Sequence, residues 1–127
     1  MPDLHLYEYA VIRIVPRVER EEFLNTGVVL YCRSKKFLGV KYEVSASRLV
    51  ALDPLADREC IKAYLSAFSQ ICQGAKGSGT IGCLPMADRF RWLTATRSTV
   101  VQASKVHPGL CADPSEKLED LFRELVL

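Results

Sequence analysis

The sequence predicts an α+β fold: a single domain with a mainly antiparallel sheet of four or more strands and helices packed on one face. Three observations lead there. Residues 7–16 (YEYAVIRIVP) are rich in β-branched and aromatic side chains and apolar on both faces, as a strand inside a sheet must be. Two more apolar runs, 26–32 and 36–42, are separated only by Arg33, Ser34 and Lys35, which makes them an antiparallel hairpin. Helical spacing then takes over, one more strand follows, and the chain closes on a helix.

The elements follow in order. Pro16 closes the first strand, because proline cannot donate to a sheet ladder. Residues 17–25 form a short helical turn, with Val18 and Phe23 or Leu24 inward and charges outward. After the hairpin, residues 47–52 read as a short helix ahead of Asp53-Pro54. Asp57 is placed to cap a helix that runs to about Gln73, with Ile61, Tyr64, Leu65, Phe68, Ile71 and Cys72 on one stripe. Gly74 ends it, and residues 74–82 read as a flexible surface loop. Residues 86–92 suggest another short helix and 98–105 a fourth strand. Asp113-Pro-Ser-Glu116 opens the last helix in the manner of a capping box with proline in its first turn. That helix, 114–127, turns Leu118, Leu121, Phe122, Leu125 and Val126 inward.

Composition bounds the function classes. The chain has 127 residues, 49% apolar and 25% charged, the make-up of one ordinary globular domain spanning 1–127. That excludes a disordered tail or a collagen-like repeat. No run approaches the ~20 apolar residues that a membrane span requires. The opening MPDLHLYEYAV shows neither the basic nor the apolar region of a signal peptide, so a cytoplasmic location is expected. A net charge of +2 is too mild to point to nucleic acid. Its distribution is uneven. Arg33, Lys35, Lys36, Lys41 and Arg48 face Glu43 alone within 31–48, whereas Asp113, Glu116, Glu119, Asp120 and Glu124 outnumber Lys117 and Arg123 at the end. Each patch solvates a face or docks against a partner or the other patch.

Cys32, Cys60, Cys72, Cys83 and Cys111 are odd in number, and none forms a CxxC pair; with His5 and His107 far apart, neither a metal site nor a cofactor is expected. They read as reduced thiols, mostly packed as small apolar side chains. Gly77, Gly79 and Gly82 spell G-x-G-x-x-G, but after a helix and before Leu84-Pro85, which is the wrong context for a dinucleotide loop.

Two polar clusters carry the candidate chemistry. The first is Arg13, Arg17, Glu19, Arg20, Glu22 and Asn25. A guanidinium on a central strand needs a carboxylate or phosphate beside it, so the cluster is either an internal ion-pair network or a pocket for an anion. The second joins Arg89, Phe90, Arg91, Trp92, Arg97 and Gln102 to His107. Its arginines and aromatics suit stacking or a core tryptophan with arginines reaching water. His107 and Cys111 lie four apart across a Pro-Gly turn and need not meet; no third group orients them. No catalytic residue is assigned.

The run 9–29, from Tyr9-Ala-Val-Ile-Arg13 through Arg17-Val-Glu19-Arg20-Glu-Glu22 to Asn25-Thr-Gly27, resembles the opening of the bacterial Domain of Unknown Function 3037 family. Arg89-Phe90-Arg-Trp92-Leu-Thr94, Arg97-Ser98-Thr99, His107-Pro-Gly109 and Leu118-Glu-Asp-Leu121-Phe122 are similar to its later signatures, so the resemblance covers about residue 7 to 127. Thr96 and Lys105 depart from it, standing where prolines are expected. The resemblance implies a small, single-domain, cytosolic bacterial protein. Some members resemble accessory proteins encoded beside a HipA-like kinase, which implies a protein partner. The two signatures coincide with the two polar clusters, and if they converge they form one pocket of Arg13, Arg17, Glu19, Arg20, Asn25, Arg97, Gln102 and His107.

Three functions are consistent with this. The first is a binding or regulatory module for a protein partner, with a small anionic ligand as a further candidate. The second is a small enzyme on a phosphorylated or carboxylated substrate, with Glu19, Glu22 or His107 as acid or base. The third, a weak nucleic-acid binder using Arg89, Trp92, Lys35 and Lys36, is disfavoured by the low net charge. A dimer through a bare strand of the hairpin is also open.

Overall fold

The computed structural model describes residues 3–127. The first strand, β1 (His5–Ile14), lies at the centre of the sheet, as its two apolar faces require. It pairs antiparallel with β2 (Leu24–Cys32), which pairs with β3 (Phe37–Tyr42). Between β1 and β2 the chain makes one 3-10 turn at Val18–Arg20, ended by Glu21 in the left-handed region. The β2–β3 turn closes with an Arg33 carbonyl to Lys36 N–H bond, and Lys36 takes the positive φ that glycine usually supplies.

The far side of β1 differs from expectation. The fourth strand, β4, is short (Val101–Ala103), and the predicted turn at His107-Pro-Gly is instead a fifth strand, β5 (His107–Cys111). Both run antiparallel to β1 and together form one interrupted edge. At the break the ladder is mended by a side chain: the buried Ser104 hydroxyl accepts the Val11 N–H at 2.8 Å, while Ser104 N–H donates to the Val11 carbonyl. Pro108 fits this strand because it pairs with Glu8, out of phase with the bonded Val11–Ser104 pair, so the N–H it lacks would have pointed away from β1.

Five helical segments complete the fold: α1 (Ala46–Leu52), α2 (Arg58–Gln73), α3 (Gly79–Gly82), α4 (Met86–Leu93) and α5 (Pro114–Leu125). The caps are those the sequence announced. Asp57 accepts the Cys60 N–H, Gly74 takes a φ of 64° at the end of α2, and Asp113 accepts the Ser115 and Glu116 N–H groups. Within the glycine-rich segment a single helical turn, α3, replaces the expected loop, and Gly82 is buried.

The helices cover both faces of the sheet, not one. Ala10, Ile12, Ile14, Val29 and Tyr31 on the first face pack against Leu49 of α1, Ile61, Leu65 and Phe68 of α2, and Phe90 and Leu93 of α4. On the second face Tyr7, Val28, Leu30 and Cys32 pack against Leu118, Leu121 and Phe122 of α5. The reason is visible in β2, where residues 26–32 are all buried, so both sides need an apolar cover. The oppositely charged patches meet here, with Lys41 of β3 paired to Glu119 of α5.

Candidate functional site

A bulge decides what stands beside Arg13. Along β1, Ile12 is opposite Gly27 and Arg13 is opposite Asn25, so Thr26 is the extra residue. Thr26 is buried and donates its hydroxyl to the Glu43 carbonyl. The skip turns Asn25 onto the second face beside Arg13. On the other side Arg13 is opposite Gln102 of β4. Asn25, Arg13 and Gln102 thus form a polar row across three strands, drawing on both sequence signatures.

Each member is held differently. Asn25 Nδ2 donates to the Leu125 carbonyl at 3.1 Å, and Arg48 donates to the Val126 carbonyl at 2.8 Å, so two side chains cap the end of α5. Gln102 Nε2 donates to the Thr99 carbonyl at 2.8 Å. Arg13 stacks on Phe23, its Cζ 4.1 Å from the ring centroid. Asn25 Oδ1 and Arg13 Nε are both buried without a hydrogen-bond partner.

The other predicted residues stand apart. Arg17, Arg20 and Glu22 border a separate cleft of about 470 Å³ with Asp53 and Leu55, where Arg20 and Glu22 pair. Glu19 is exposed on the 3-10 turn. Arg97 lies over Trp92, its Cζ 4.0 Å from the ring centroid, and donates to the Trp92 carbonyl; burial lowers its pKa. His107 is opposite Tyr9, the rings 5.4 Å apart on the same face as Arg13 but four residues along the strand, on the order of 13 Å away. It does not meet Cys111, which is buried at the other end of β5 and whose thiol pKa burial raises.

One recess was not legible in the sequence. It is a cleft of about 850 Å³ at the start of β1, lined by Leu4, Leu6, Glu8, Tyr31, Arg33 and Arg91 among others. Leu4, Leu6 and Leu110 are 58%, 61% and 61% exposed around this end of the sheet, and Leu6 and Leu110 are opposite one another on β1 and β5. Leu6 lies before the strand predicted at 7–16, and the structure, which starts β1 at His5, leaves it exposed. No group of three or more His, Cys, Asp or Glu suited to a metal occurs among the described residues. No helix among them is long and apolar enough to cross a membrane.

An α+β domain with one central two-sided strand, apolar at its exposed start and polar toward its end, is the class this architecture defines. The family model for the protein of unknown function DUF3037 matches residues 9–126, and the chain belongs to that family. No curated protein and no solved structure matches it.

Proposed function

We propose that the protein is a binding module, regulatory or accessory in role, that docks a protein partner through the bare end of its sheet. The observation that carries this is the cleft of about 850 Å³ with Leu4, Leu6 and Leu110 exposed around it. Clustered exposed leucines are costly to leave in water, whereas scattered ones are ordinary. Arg33 and Arg91 stand in the cleft against Glu8, so the matching surface is apolar with an acidic flank. The cytosol suits such a module, since all five thiols are free. Given the resemblance of some family members to proteins encoded beside a HipA-like kinase, a kinase of that type is the first partner to test.

The enzyme reading has less support, because Glu19, Glu22 and His107 do not gather around Arg13. Nucleic-acid binding has less still, because the Trp92 ring is already stacked by Arg97.

The test is a pull-down from nuclease-treated host extract at two salt concentrations, read by mass spectrometry. A Leu6→Asp/Leu110→Asp double variant is compared with Arg17→Ala/Arg20→Ala. The expected result is a stoichiometric protein lost in the leucine variant at both salts, with unchanged melting for both variants. A partner retained by the leucine variant would overturn the assignment of this surface.

A further inference from the structure

Arg13 is a cation without a counterpart. It lies on the central strand, half-buried, and no carboxylate is within ion-pair reach of it among the described residues. Its Nε is buried and unpaired, and Phe23 covers one side of the guanidinium. The outer Nη edge is not among the buried atoms and makes no hydrogen bond to the described residues, so the fork opens toward solvent. Burying part of a charge without an opposite charge is unfavourable, and a planar guanidinium presents paired N–H groups that match the two oxygens of an oxyanion.

We infer that Arg13 anchors an oxyanion subsite that takes a carboxylate or phosphate group through its fork, with Phe23 as the apolar wall. Asn25 is its positioning residue. Its Oδ1 is a buried acceptor without a donor, set opposite a buried Nε–H donor without an acceptor. A hydrogen bond between them would fix the fork while Nδ2 stays on the Leu125 carbonyl. Gln102 is opposite Arg13 on the other side, its amide donor held on the Thr99 carbonyl. The subsite is on the opposite sheet face from the apolar cleft and does not depend on it.

The test uses the full chain, titrated separately with sodium phosphate and sodium acetate at constant ionic strength. It is read by the arginine Nε–H resonances in ¹⁵N NMR and by thermal melting. The expected result is a saturable shift of the Arg13 resonance with at least one anion, and a melting temperature that rises with that anion. A response to phosphate alone or acetate alone assigns the class. Arg13→Lys keeps the charge but loses the fork, and should weaken binding on the order of tenfold. Arg13→Met should abolish the response and melt no lower than the parent in anion-free buffer, because it removes an uncompensated charge. The inference is overturned if neither anion moves the Arg13 resonance of the unsubstituted protein. It is equally overturned if Arg13→Met melts lower in anion-free buffer, which would make the guanidinium a structural strut.

Discussion

Two stretches of the same strand, β1, meet solvent in opposite ways. At its start the first face carries Leu6 beside Leu110 of β5, apolar and bare. Toward its end the second face carries Arg13 between Asn25 and Gln102, polar and partly roofed by Phe23. Between them Ala10, Ile12 and Val11 are buried. The elements also differ in length. Ten strand residues extend ~34 Å, whereas the 16 residues of α2 cover ~24 Å and the 12 of α5 cover ~18 Å. An apolar end is suited to a protein surface, and a polar one to an ion.

The sharpest way to break this comparison is to move along the strand. Ile12→Ala removes a side chain with no exposure between the two ends, and should cost about 2–5 kcal/mol in denaturant unfolding. Leu6→Ala, six residues earlier on the same face, should change stability by less than about 0.5 kcal/mol. Similar losses for both would mean that the start of β1 is covered after all. Ser104→Ala comes next. It strips the Val11 N–H of its acceptor, and should cost about 1–3 kcal/mol and speed amide exchange at Val11. An unchanged Val11 amide would show that the two halves of the edge strand do not need this bond.

A further effect is confined to alkaline pH. Burial pushes the thiol of Cys72, in the last turn of α2, up to about 12, the nearby Arg89 opposing only part of the rise. The folded state therefore holds a proton that the unfolded chain gives up near 9. Its stabilising contribution is complete below pH 9 and is lost as pH rises toward 12, with a slope of at most about 1.4 kcal/mol per pH unit. Denaturant midpoints measured between pH 8 and 10.5 should show this decline, and Cys72→Ala should flatten it. An equal slope in the variant would assign the loss to other groups.

Local signals read well where the physics is local. Asp57, Gly74 and Asp113 mark helix ends because the cap bonds are made within three residues or so of the cap. The two-sided apolar run of β1 foretold a central strand because only a sheet interior buries both faces. Reading failed where pairing is long-range. Nothing in His107-Pro108-Gly109 signals a strand, since proline and glycine favour turns, yet β1 supplies a bonding edge almost a hundred residues away. The candidate site was legible as residue types and not as a group. Arg13, Asn25 and Gln102 stand opposite one another because the Thr26 bulge shifts the register by one residue, whereas Arg20 pairs with Glu22, Arg97 stacks on Trp92, and Arg17 borders a separate cleft.

The amino-acid sequence by itself determined the class of fold, the central strand, the hairpin, the capped ends of α2 and the capped start of α5, and the presence of two arginine-rich signatures. These depend on periodicity, capping and turn geometry within short spans. Tertiary structure alone decided that α5 covers the second face, that the edge strand closes through a serine hydroxyl, and that Arg13 has no carboxylate beside it among the described residues. Those outcomes depend on register and on the relative lengths of packed elements, which residues distant in the chain settle together.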